Sequence, residues 1–278
     1  MSKKHLRIPI TMCHGVTDTL GIDRFQEFFN IAKNHNFKSI SYDQLYKWLQ
    51  GSMKLPNRPI MFDFDHPVIS IYRDIFPIMN ELGFTGNLFV NTEPMIDMYS
   101  QGKDKAQDRE LMTWNELGML VDAGWTIGAH THTHPDLYGL AVEDPSGKKI
   151  AFEIQTNNRI LEENLGFTPK YFAYAGESFS TLAESQAKEY YHLARLWITD
   201  ENYLVDGRLI PFSELVEVQG DVEKDGGPPI ASRYITKSCH PYRLPSMELG
   251  RYENTRMKGL IYSMTDFEAY LLSAICDS

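Results

Sequence analysis

Cysteine is scarce in this chain. Its 278 residues include three, Cys13, Cys239 and Cys276, widely spaced and with no C-x-x-C pair. That excludes a disulfide framework or a zinc knuckle and leads us to expect free thiols in a reducing compartment. Positive charge is also short: 27 Lys and Arg stand against 37 Asp and Glu, a formal net charge of −10, and no basic block is longer than a dipeptide. A phosphate backbone needs a positive face to bind, so nucleic acid is not an expected partner. No apolar run approaches the roughly 20 residues that span a bilayer. The basic start, MSKKHLRIPITMCHG, lacks an apolar stretch long enough for a signal peptide, so a cytoplasmic location is expected. Internal repeats and low-complexity tracts are missing too. What remains is an ordinary globular composition, 42% hydrophobic and 23% charged, able to bury a large core. A single domain over residues 1–278 is expected, with self-association left open.

Strand-like and helix-like stretches alternate. RIPITMCH (7–14) is β-rich, and Phe25, Phe28, Phe29 and Ala32 then recur at helical spacing. KSIS precedes the helical YDQLYKWLQG, and RPIMFDFD (58–65) has the apolar density of a buried strand. A helix interrupted by Pro77 follows, then the strand TGNLFVN and a helix opened by Thr113, with Glu116 completing a capping box. TIGAHT, KYFAYAG and ARLWIT read as further strands, and DFEAYLLSAICDS as a terminal helix. Six or seven βα units in series favour a parallel α/β sheet, because parallel strands need crossovers that helices supply. Segment 201–255 breaks this rhythm and is expected to be an irregular insertion, functional or a contact surface.

The strand ends share a chemistry. The first ends in His14, the third in Asp63 and Asp65, the fifth in His130 and the sixth at the Tyr174–Gly176 turn. In a barrel of parallel strands these ends converge on one face, where such folds place their reactions. In TIGAHTHTHPDL three histidines fall at every second position. Nitrogens around one Zn²⁺ lie about 2.0–2.1 Å from it, hence about 3.4 Å from each other. Along an extended strand His130 and His134 would stand about 13 Å apart, and His130 and His132 about 6.6 Å. A helical turn would instead bring the Cβ atoms of His130 and His134 to about 5–6 Å. Spacing therefore leaves both pairs open, beside a metal-free reading in which threonines and histidines hydrogen-bond at a strand end. In MFDFDHP two carboxylates sit two residues apart after Ile60, Met61 and Phe62, and acids on one side of a buried strand repel unless a cation or proton offsets them. One acid could bind a metal while the other takes a proton from water. A helix cap at Asp65 or His66 before Pro67 explains Asp65 but not Asp63.

IPITMCHGVTD, LPNRPIMFDFDH, GWTIGAHTHTHPDL and KYFAYAGES together resemble the polysaccharide deacetylases, carbohydrate esterase family four with its NodB-homology domain. The similarity is closest to the branch acting on poly-N-acetylglucosamine and spans about residues 7–200. The resemblance implies a distorted (β/α)7 barrel with parallel strands and metal-assisted hydrolysis of an N-acetyl group. One divalent ion is implied, zinc first, with cobalt, nickel or iron as alternatives. Carried over by motif, Asp65, His130 and His134 would be the ligands, Asp63 the general base and His14 the general acid. His132 would lie behind the ligands or be a bystander. The main-chain N–H near Gly176, in the turn that Tyr174 opens, would stabilise the oxyanion. The family usually has adjacent aspartates followed by glycine, whereas here Phe64 separates them and His66 replaces the glycine. Ala173 stands where an arginine often steadies the base, and Ala175–Gly176 where Pro–Tyr is usual. TKSCHPYRLPSMELG is similar to the family's late RLP strand, but His240 is not expected to be catalytic.

The leading expectation is an N-deacetylase acting on an N-acetylated sugar. A hydrolase of a linear amide or cyclic ureide on the same fold is the alternative, as is a carbohydrate-binding relative that has lost turnover. The last is motivated by Ala173 and the altered third motif.

Overall fold

Strands covered on both faces read as near-continuous apolar runs, and those ending in His14 and Asp65 do so apart from Thr11 and the two aspartates. β1 (Ile8–Cys13) and β3 (Pro59–Asp65) are buried at every position, and in the computed structural model, which describes residues 6–18, 20–176, 178–197, 202–218, 230–249 and 263–276, they pair in parallel. The short β2 (Lys38–Ser39) joins the other end of β3. From β3 the sheet runs on through β4 (Asn87–Val90), β5 (Thr126–Ala129), β6 (Tyr171–Ala173) and β8 (Leu193–Arg195), all parallel. β7 (Ser178–Phe179), β9 (Asn202–Val205) and β10 (Arg208–Pro211) form a separate three-stranded sheet.

The rest of the 201–255 segment does more than interrupt. β11 (Tyr234–Ile235) pairs antiparallel with β1, and β12 (Met247–Glu248) pairs with β1 in parallel. Just before β12, Leu244 bridges Arg195 of β8 in parallel, and the Ser246 hydroxyl donates to the Leu196 carbonyl at 2.8 Å. Residues 244–248 thus join the last strand to the first and bring the curled sheet round as a barrel, as the (β/α)7 expectation requires. Residues 201, 219–229 and 250–255 of that segment lie outside the described residues.

Helices cover the outer face. α1 (Ile22–Asn34) buries Phe25, Phe28, Phe29 and Ala32, the expected stripe. α2 (Tyr42–Leu49) opens with a capping box between Ser41 and Gln44. A π-helical turn, Ile71–Ile75, leads into α3 (Phe76–Leu82), with Pro77 in its first turn. Proline has no N–H to give, so the interruption expected at Pro77 is a change of helix type with no lost bond. α4 (Glu93–Ser100) follows β4, and α5 (Trp114–Asp122) carries the expected Thr113–Glu116 capping box. α6 (Leu137–Glu143) and the long α7 (Lys148–Leu165) follow β5, α8 (Thr181–Tyr190) follows β7, and α9 (Phe212–Leu215) follows β10. The terminal α10 (Met264–Cys276) packs on α1 and β1. Cys13 and Cys239 are free and buried. No helix among the described residues is long and apolar enough to cross a membrane.

Candidate metal centre and catalytic site

β5 delivers His130 to the barrel mouth, and the chain then curls. Thr131 and His134 take φ of 63° and 58°, in the left-handed region that non-glycine residues seldom occupy. His134 is brought back beside His130, with ring centroids 4.7 Å apart. His132 turns the other way, its Nδ1 2.9 Å from the Thr92 hydroxyl. The pairing left open by spacing is therefore His130 with His134.

The third member of the cluster is His66, where Asp65 was expected. One nitrogen from each of His66, His130 and His134 lies within 4.8 Å of the others. Alternation along β3 puts Asp63 and Asp65 on one side and would send residue 66 to the other. His66 escapes that rule because its φ is 65°, which turns its ring back toward the site. His66 Nδ1 lies 2.9 Å from the Asn91 amide oxygen, and His130 Nδ1 lies 2.9 Å from the Ala173 carbonyl. Partners at Nδ1 leave Nε2 as the coordinating nitrogen of both rings. Three imidazoles at near-ligand spacing, His130 buried and His66 and His134 partly exposed, fit a divalent ion of borderline softness. Burial holds His130 well below the usual imidazole range, so it stays neutral and able to ligate.

Behind the histidines the two acids share one arginine. Arg195, fully buried at the end of β8, pairs with Asp65, and its Nε lies 3.1 Å from Asp63 Oδ2. Asp63 also accepts from the Tyr42 hydroxyl at 2.7 Å and the Asn87 amide at 3.0 Å. Burial pushes Asp63 up to about 6, against the pull of Arg195, Tyr42 and Asn87. Burial acts on Asp65 in the same direction, but Arg195, then His130, His14 and His66, bring it down to about 2. The histidines thus act on Asp65, the acid nearer the cluster, while Asp63 is tied to Tyr42, Asn87 and Arg195.

His14 lies across the mouth, its ring stacked on His66 at 5.4 Å and edge-on to Trp197 at 5.7 Å. Its Nδ1 stands 3.8 Å from the carboxylate of Glu248, which is buried on β12. The sixth strand end behaves differently from the others. Tyr174 is packed between Phe172 and Phe179 in the core, and the groups acting on its hydroxyl are Glu184, Arg243, Tyr242 and Tyr203. It does not line the histidine cluster. Gly176, with φ 79°, follows in the turn. His240 Nδ1 accepts from the Tyr242 N–H, and the charged groups acting on its ring are Glu184, Arg243, Glu217 and Lys188, none of them in the histidine cluster.

Arg195, Glu248 and His66 escaped the sequence reading. An arginine inside the apolar run ARLW was the available signal for the first. Its register partner on β6 is Ala173, so the guanidinium expected at 173 comes from the adjacent strand.

The model of the polysaccharide deacetylase family matches residues 52–193. No curated protein matches the chain in sequence. Among solved structures, the Streptococcus pyogenes deacetylase PplD in complex with acetate is similar with a TM-score of 0.66 at 15% identity, covering 97% of this chain and 98% of that one. IcaB from Ammonifex degensii gives a TM-score of 0.59 at 17% identity, over 68% of this chain and 83% of that one. A de-N-acetylase from Aggregatibacter actinomycetemcomitans gives 0.60 at 15% identity, over 70% and 89%. At such identities the likeness concerns the fold.

Proposed function

The chain belongs to the polysaccharide deacetylase family, and from that premise we propose that it removes the N-acetyl group from an amino sugar, free or within an oligo- or polysaccharide, with one divalent cation held by His66, His130 and His134. The observation that carries this reading is the three-histidine cluster with the Arg195-bound Asp65 beside it and His14 against His66.

When bound, the cation supplies Lewis-acid activation of the attacking water and a positive charge for the carbonyl oxygen. The rest is work for the chain's own groups. Asp65, kept ionised, accepts the proton of the attacking water. Arg195 holds its carboxylate in place and offsets the second acid, Asp63. His14, with the Glu248 carboxylate 3.8 Å from its Nδ1, protonates the departing nitrogen, without which an amine is a poor leaving group. This reading gives the base role to Asp65, two positions beyond Asp63, and the third ligand position to His66, one position beyond Asp65. Arg195, the register partner of Ala173, supplies a guanidinium beside the acids, which supports turnover over the inactive alternative.

The test is acetate release from N-acetylglucosamine oligomers. Chelation should abolish it, and added Zn²⁺ or Co²⁺ should restore it. Acetate release at an unchanged rate in metal-free buffer overturns the proposal. Ring opening of a cyclic ureide without acetate release from any sugar would move the same site to another substrate.

A further inference from the structure

The loop that curls His134 back onto His130 is held from outside the site. Glu153, in the middle of α7, points its carboxylate at it: Oε2 accepts from the His132 N–H at 3.0 Å and the Thr133 N–H at 2.8 Å, and Oε1 accepts from the Thr133 hydroxyl at 2.9 Å. One helical turn on, the fully buried Asn157 donates to the Thr131 carbonyl at 2.5 Å and to the Val90 carbonyl at 2.9 Å. One face of α7 therefore binds three consecutive residues between two of the histidines. Only 7% of Glu153 is exposed. A carboxylate in such a place is costly unless compensated, and its compensation here is the loop. The loop in turn needs a restraint, since Thr131 and His134 both sit at positive φ.

We infer that Glu153 is the positioning residue of the metal-binding loop, fixing the turn between His130 and His134 and so setting how tightly the site holds its cation. This rests on the ligand set proposed above. Without the carboxylate, two successive N–H groups lose their acceptor. The turn can then relax toward the extended form in which His130 and His134 are too far apart to share an ion. Outer partners of metal ligands typically matter by 10–100-fold in affinity.

The experiment compares Glu153→Ala and Glu153→Gln with Leu161→Ala, a cavity-forming control in the buried face of the same helix. Two quantities are read: zinc affinity by competition with a chromophoric chelator, and amide hydrogen exchange at His132 and Thr133 in the metal-free protein. Glu153→Ala is expected to weaken zinc binding at least tenfold and to speed exchange at both amides at least tenfold, with Glu153→Gln in between. Leu161→Ala is expected to lower Tm while leaving both quantities as in the wild type. If Glu153→Ala does not fold, Glu153→Gln decides. Wild-type affinity and wild-type exchange in the Glu153 variants overturn the inference, as does an equal loss of affinity in Leu161→Ala. If the wild-type protein binds no zinc, the ligand reading fails, and the exchange measurement still decides whether Glu153 holds the loop.

Discussion

At the scale of single residues, the two acids two positions apart sit in different surroundings, and the proposed reading gives them different tasks on that ground. Asp65 is acted on by Arg195 and three histidines, whereas Asp63 is enclosed by Tyr42, Asn87 and Arg195. Asp65→Asn should therefore keep the cation, measured as metal per protein, and lose about 10²–10⁴-fold in kcat, the usual contribution of a positioned base. His66→Ala should lose the metal itself. An Asp65→Asn protein that binds no metal would return Asp65 to the ligand set. The same carboxylate gives a pH signature. Its folded value, about 2, lies below the unfolded value of about 3.9, so it contributes stability above pH 4 that is lost as pH falls toward 2. That contribution is about 2–3 kcal/mol, and the urea midpoint of the wild type should fall more steeply than that of Asp65→Asn between pH 4 and pH 2.

At the scale of elements, the site depends on strand ends arriving in register. Gly128 in β5 lies two residues before His130, and a Cβ there would meet the Phe89 ring at 2.5 Å and the Tyr171 carbonyl at 3.1 Å. Gly128→Ala should cost about 1–3 kcal/mol in urea unfolding, as overpacking does. By pushing β5 away from β4 and β6 it should also weaken zinc binding. β8 contributes through Arg195, which is buried with both carboxylates. Arg195→Leu strands two acids without a cation and should destabilise by about 3–5 kcal/mol. Added zinc should recover part of that loss, since a bound dication offsets the same charges. A variant as stable as the wild type would show that the ion pairs contribute little.

At the scale of the whole molecule, the C-terminal helix secures the strand that carries His14. The Tyr270 hydroxyl accepts from the Ile10 N–H at 3.0 Å and donates to the Arg233 carbonyl at 2.7 Å, joining α10 to β1 and to the turn before β11. Tyr270→Phe leaves that buried N–H without its acceptor and should lower stability by about 1–3 kcal/mol by thermal or urea unfolding. The helix stripes, the apolar strands, both the Thr113 capping box and the order of βα units could be read in advance, because each is local: period, cap and strand composition act within a few residues. The pairing of His130 with His134 was one of two options, since spacing alone cannot say whether a chain curls. Strand alternation along β3 would point His66 away from the two acids, and only its positive φ reverses that. Arg195 was passed over because β6 and β8 become neighbours only once the sheet forms. Tyr174 was placed at the pocket because it follows a strand end, while the aromatic packing of Phe172 and Phe179 draws it into the core.

Residue order was enough to indicate serial βα units, and so a parallel α/β sheet, with acids and imidazoles at its strand ends, since both follow from patterns a few residues long, whereas closure into a barrel was implied only by the family resemblance. Which histidine completes the cluster, which acid stands beside it and which arginine steadies that acid came from the closed sheet. Those assignments rest on backbone angles and strand neighbours that exist only after residues far apart in the chain have come together.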